Sequence, residues 1–131
     1  MKFQKIPFDE LDILDLDWIE PIKGVGKIDV KVMSKEIALG NWDARRLPAP
    51  AQGIAVTYPD DGLLFIYYLR GRGLFGSITK QDLLDAAEVD GLNGVAAHVD
   101  NKAMYKLLSN LTFVPIEHMS DGYIRMELRN A

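Results

Sequence analysis

The segment of this sequence best suited to hold an anion is Arg70-Gly71-Arg72-Gly73, where the apolar run LLFIYYL gives way to a predicted helix. Glycines let a backbone approach a ligand closely and adopt positive φ. The N–H groups of a first helical turn lack internal partners, and the helix dipole favours negative charge there. Two arginines add mobile positive charge. These four residues describe a small phosphate cradle, and equally a glycine-rich turn bearing two exposed arginines. A second group follows in HVDNKAMYKLLSNLTF, residues 98–113. His98 can act as a general base or sit hydrogen-bonded within a sheet. Asp100 is a second candidate base, and also a plausible turn residue. Asn101 can cap the helix that starts beside it.

Other chemistries are excluded by spacing. His98 and His118 lie far apart and lack metal-ligand spacing with carboxylates, so no metal site is expected. There is no G-x-S-x-G elbow. GRGLFG is not followed by Gly-Lys-Ser/Thr and is no P-loop. The absence of cysteine removes disulfides and thiol nucleophiles. With 15 basic and 19 acidic residues, 15 − 19 gives −4, which does not favour a nucleic-acid partner. No apolar run approaches the roughly 20 residues of a membrane span. The start MKFQKIPFDE lacks the apolar core of a signal peptide, so a cytoplasmic protein without membrane partner is expected.

The chain must position these groups within 131 residues, 48% of them hydrophobic, which predicts one domain over 1–131. KFQKIPF reads as a short strand, FDELDILDLDWIE as an amphipathic helix, and KIDVKVMS as an alternating strand. SKEIALGNW could hold one or two helical turns, and RRLPAPAQG is a connection. From residue 53 the pattern sharpens. GIAVTY and LLFIYYL flank a PDDG turn and predict a hairpin whose second strand is apolar on both faces. LFGSITKQDLLDAAEVDG reads as mostly helical, NGVAAHV as a strand, and NKAMYKLLSNL as a helix. FVPIE and YIRMELR form a final hairpin, the latter strand with Ile124, Met126 and Leu128 buried and its charged residues wet. An alternative start for the first of these helices is the capping-box pattern Thr79-x-x-Asp82, with LFGSI then a strand and RGRG its turn. The strand–helix–strand crossover requires a parallel pair and the hairpins antiparallel ones. The expected class is α/β: a mixed, mainly antiparallel sheet flanked by helices.

Over about residues 53–129 the chain resembles the GCN5-related N-acetyltransferase (GNAT) family. That family carries R/Q-x-x-G-x-G/A after a central strand, then an Asn-headed helix ending in GF about thirty residues on. Here Arg70 and Gly73 supply the loop pattern, with Phe75 where the last Gly/Ala would stand. Asn101 and Thr112-Phe113 supply the rest. In size and ending the chain also looks like small phage-encoded members. The resemblance implies a GNAT-like acyl-CoA N-acyltransferase fold and acetyl-CoA as co-substrate. It implies that backbone N–H groups at Tyr68 and Leu69 polarise the thioester. Gly71, Gly73, Leu74 and Phe75 would hold the pyrophosphate with Arg70 or Arg72 nearby, and Asn101 would lie near the pantetheine arm. His98 is then the candidate base and Tyr105 the candidate acid, although family spacing puts Leu108 at the acid's usual position. Tyr67 and Tyr68 are expected in the core or cleft wall. The implied activity is acetyl transfer to an unidentified amine. The alternative is a catalytically inactive GNAT-fold binding or structural protein. Strand YIRMELR, taken as an edge, could pair two copies into a homodimer, and its alternating charges could equally protect it from pairing.

Overall fold

The computed structural model describes residues 3–7, 30–72 and 78–130, so the helix expected over residues 8–20 lies outside the described residues. In chain order the elements are β1 (Gln4–Ile6), α1 (Val30–Ala38), β2 (Asp43–Arg46), β3 (Gln52–Asp60), β4 (Leu63–Arg72), α2 (Lys80–Val89), β5 (Gly94–Val99), α3 (Lys102–Asn110), β6 (Val114–His118) and β7 (Ile124–Arg129). They build a seven-stranded sheet in the order β1-β2-β3-β4-β5-β7-β6. Only β4 and β5 pair in parallel, bridged by α2, while the other neighbours are antiparallel. The mixed, mainly antiparallel class read from the sequence is therefore the observed one.

The β3–β4 hairpin turns through Asp61 and Gly62, whose φ values of 52° and 78° are both positive. A two-residue loop with both centres left-handed matches the twist of the strands it joins, which is why Asp-Gly serves there. One face of the sheet is covered by α1. Met33 and Ile37, one turn apart, pack with Ile6, Ala44, Ile54, Val56 and Tyr68. The opposite face carries α2 and α3, whose Leu83, Leu84, Ala87 and Leu108 join Leu64, Ile66, Val95, Ala97 and Val99. No described helix is long and apolar enough to cross a membrane.

Several elements differ from expectation, each for a tertiary reason. The described part of KIDVKVMS, from Val30, is helical and not the expected strand, because Met33 and Ile37 find a sheet face at helical spacing while Val32 points outward. DARR, unreadable in isolation, is β2, and its Arg45 is 2% exposed. Helix α2 does not extend back through Ile78: it begins after Thr79. The Thr79 hydroxyl accepts from the Asp82 N–H at 3.1 Å and the Asp82 carboxylate accepts from the Thr79 N–H at 3.0 Å, a reciprocal capping box. The strand that the alternative reading placed on LFGSI lies, apart from Ile78, outside the described residues. Finally, β7 is not an edge. It lies between β5 and β6, and β6 is the outer strand. Nor is the charged side of β7 fully wet. Glu127 is buried because Arg125 Nε and Arg129 Nη2 each lie 2.8 Å from its carboxylate.

Helix α3 ends in a left-handed residue. Thr112 has φ 69°, its N–H donates to the Ser109 carbonyl, and the Phe113 N–H reaches back to the Leu108 carbonyl, both at 3.0 Å. This is a Schellman closure, completed by Phe113 and Leu108 sharing the core. Helix α2 closes in the same way with Gly91 at φ 72° and Leu92 donating to Ala87. The aromatic that ends the sequence LTF is thus the hydrophobic half of a helix stop.

Candidate active site

The parallel pairing of β4 and β5 is short. It runs from Leu64 opposite Val95 to Ile66 opposite Ala97. Beyond that the strands diverge, because β4 follows β3 through Arg72 while β5 stays with β7. The divergence coincides with a bulge. Val56 pairs with Tyr68 and Thr57 with Ile66, so Tyr67 is the extra residue on β4. A bulge turns two successive side chains to one side, and accordingly Tyr67 and Tyr68 both contact the cluster under α1.

The gap between the strands is a cleft of about 350 Å³, lined along β4 by Phe65 to Leu69 and along β5 by Ala97 to Val99. It passes through the layer of the sheet and so has two chemically different walls. On the α2–α3 side it is aliphatic, with Ile66, Leu69, Val99 and Leu108. On the other side it presents Tyr58, Phe65, Tyr67 and His98. Asp100, Asn101, Met104 of α3 and the β6–β7 turn residues Met119, Asp121 and Tyr123 complete the lining.

Of the residues singled out from sequence, Tyr67, Tyr68, Leu69, His98, Asp100 and Asn101 meet on this cleft. The Asn101 side-chain oxygen accepts from the Met104 N–H at 2.8 Å, so it caps α3 while facing the cleft. Tyr105 lines an adjoining cleft of about 210 Å³ that shares Val99, Asp100 and Asn101 with the first. The backbones of Arg70, Gly71 and Arg72 are strand, paired with Ile54, Gly53 and Gln52. Gly73, Leu74 and Phe75 lie outside the described residues. The N terminus of α2, which the sequence offered to a phosphate, already holds the Asp82 carboxylate in its first turn, so its dipole is partly answered from within.

His98 stands opposite Arg125 in the β5–β7 register. Its Nε2 lies 3.4 Å from an Arg125 guanidinium nitrogen, so this ring nitrogen faces a permanent donor. The ring meets Phe65 edge-on at 4.8 Å between centroids. Arg125 also reaches Asp60 at 3.3 Å and Glu127 at 2.8 Å. Burial opposes charge on both Arg125 and Glu127. Their mutual hydrogen bond and attraction, aided by Asp60 and Arg129, outweigh it, raising the pKa of Arg125 and lowering that of Glu127. At Tyr58, burial first, then the charges of Asp60 and Tyr67, raise the phenol above its ordinary value against the pull of Arg125. Tyr58 therefore keeps its proton at neutral pH and cannot serve as a base.

Reading the sequence alone missed Tyr58, Phe65, Met119, Asp121 and Tyr123 as cleft residues. The only signal was the aromatic density of FIYY, and nothing in the sequence told a core aromatic from a cleft wall. Among the described residues no group of three or more His, Asp or Glu is placed to hold a metal.

The described strands thus form a seven-stranded mixed sheet with its parallel central pair splayed over a cleft. No family model matches the sequence, and no curated protein matches it. Among solved structures, a protein of Desulfovibrio desulfuricans assigned as an acetyltransferase of the GNAT family is similar. The match covers 98% of each chain with a TM-score of 0.71 at 11% identity. At that identity the likeness is one of fold, and the fold of this chain is GNAT-like.

Proposed function

We propose that this chain is an N-acetyltransferase that takes acetyl-CoA as co-substrate and an amine as acceptor. The observation that carries this is the cleft opened where β4 and β5 stop pairing after Ile66 and Ala97. A diverging strand edge suits an extended arm with amide groups, because such an arm can add to a sheet as a strand does. The pantetheine arm of coenzyme A is of that kind. The aliphatic wall of Ile66, Leu69 and Val99 would cover its methylenes, and Asn101 would stand beside it. Backbone N–H groups at Tyr68 and Leu69 would polarise the thioester carbonyl. The pyrophosphate is assigned to Arg70 through Phe75.

In the reaction the amine nitrogen attacks the thioester carbonyl, an N–C bond forms and the C–S bond breaks. One proton leaves the nitrogen and one is taken up by the departing thiolate, giving an amide and coenzyme A. His98 is the proposed base and Tyr105 the proposed acid. A second reading, a GNAT-fold protein that binds without turnover, is favoured by one observation. Leu108, at the position where the family's acid usually stands, is 2% exposed, and Tyr105 lies on the adjoining cleft.

Calorimetry with acetyl-CoA, paired with thiol release on a panel of amines, tests both readings. Binding that Arg70→Glu with Gly73→Val abolishes, together with thiol release, supports the transferase. Binding without release on any amine leaves the second reading, and no binding removes both. For His98, the Gln variant should cut kcat near neutral pH while cofactor affinity is kept. Equal rates exclude it as base.

A further inference from the structure

Resting on the transferase reading, we infer that Arg125 is a positioning residue for His98: its guanidinium donates to Nε2, so the neutral ring carries its proton on Nδ1 and takes the amine's proton at Nε2. On β7, Arg125, Glu127 and Arg129 alternate along one face and stand opposite His98, Ala96 and Gly94 of β5. Opposite Glu127 and Arg129 there is only a methyl and a hydrogen, so His98 is the one large side chain of β5 on this face. Both arginines turn to the Glu127 carboxylate, each at 2.8 Å, and Arg125 also reaches Asp60 at 3.3 Å. Asp60 belongs to β3, so Arg125 lies across β5 and β4, over the Phe65 ring at 5.9 Å from its centroid. It cannot swing away without leaving the buried Glu127 carboxylate short of a donor.

His98 Nε2 lies 3.4 Å from Nη1 of this anchored guanidinium. A guanidinium has donors, no acceptor and a permanent charge. Of the two neutral tautomers of the ring, the one with its lone pair at Nε2 answers it. The other tautomer, and the imidazolium, would set N–H against N–H. Which ring nitrogen holds the proton is set by the bond the other makes, so Arg125 fixes the proton on Nδ1. The ring's tilt is fixed too, since it meets Phe65 edge-on, the same ring that Arg125 covers. A contact of this length exchanges readily for a shorter one, and catalytic hydrogen bonds often tighten only when substrate arrives. In the step itself the Nε2 lone pair forms an N–H bond as an N–H bond of the amine breaks. Arg125 gives up Nε2 and keeps Asp60 and Glu127, whose carboxylates supply counter-charge to the imidazolium.

The test reads the tautomer of the full chain from long-range proton–nitrogen correlation spectra, which tell a protonated ring nitrogen from a bare one. The chain has two histidines, so the His98 signals are those that remain in His118→Gln. In its neutral form His98 should show Nδ1 protonated and Nε2 bare. Arg125→Met should mix or reverse that pattern and lower kcat for thiol release by at least about tenfold, part of what a positioned base supplies, while the KM for acetyl-CoA is kept. A wild-type ring with its proton on Nε2 overturns the inference, and this reading stands even if Arg125→Met does not fold. An Nδ1–H pattern that survives Arg125→Met overturns it as well, and so does an unchanged kcat with an altered tautomer. Failure of acetyl-CoA to bind, or of thiol to be released by wild type, strikes the transferase reading instead. The spectra then still decide whether Arg125 sets the state of the ring.

Discussion

Asp90 ends α2, the helix that carries the chain from one side of the cleft to the other, and it stands at the negative end of that helix's dipole. A carboxylate there is unfavourable by itself. It is retained because Arg45, 2% exposed on β2, donates to it, and Lys5 of β1 lies 2.8 Å from its other oxygen. Thr57 takes the Arg45 Nε–H at 2.9 Å, and Asp43 stands 3.8 Å from the guanidinium. Deleting the side chain in Asp90→Ala strands a buried guanidinium, which costs about 3–5 kcal/mol in general. Asp43 and Thr57 remain as partial answers, so about 3 kcal/mol is expected. Asp90→Asn keeps an acceptor oxygen and loses only the charge assistance, so about 1–2 kcal/mol is expected. Burial alone would raise the Asp90 pKa. The Lys5 hydrogen bond and the charges of Arg45 and Lys5 outweigh it and hold the pKa below the ordinary 3.8. A depressed folded-state pKa gives stability that is complete above the ordinary value and is lost as pH falls through the folded one. Urea unfolding of wild type and Asp90→Asn from pH 7 to pH 2 should therefore show a gap that is constant above about pH 5 and closes in acid. A gap that widens in acid, or Asp90→Ala costing less than Asp90→Asn, refutes the account of this network.

Three further outcomes are expected. Thr112→Gly should stabilise the chain by about 0.5–1 kcal/mol in denaturant melts, since a β-branched residue at φ 69° is strained and glycine is not, less glycine's larger unfolded-state entropy; a loss of stability would contradict the Schellman assignment. Gly94→Ala should cost about 3 kcal/mol or prevent folding, because a Cβ there would fall 2.2 Å from the Leu128 backbone oxygen and β7 must move; an unchanged melting temperature would show that β5 and β7 are not so close. Asn101→Ala should cost about 1 kcal/mol through the lost cap, and Asn101→Asp should restore the cap. If Asn101 also meets the pantetheine arm, acetyl-CoA affinity should stay low in Asn101→Asp although stability returns.

Local patterns determined more here than the chemistry did. Asp61-Gly62 set the hairpin, Thr79-x-x-Asp82 and Asn101 set two helix starts, and the alternation of β5 separated His98 from Val95, Ala97 and Val99. Each is a short-range device whose partner lies within a few residues, so a sequence states it outright. Only tertiary structure decided that Met33 and Ile37 make a helix, that Arg45 is buried beside Asp90, and that β7 lies inside the sheet with Glu127 closed off. In these cases the deciding group lies far along the chain, and the local pattern fits two outcomes equally. The cleft belongs to the second kind: Tyr67 becomes a bulge, and Phe65 and Tyr58 become a wall, because β4 follows β3 while β5 follows β7. Where one strand leaves another is a property of the whole sheet, and no stretch of sequence carries it.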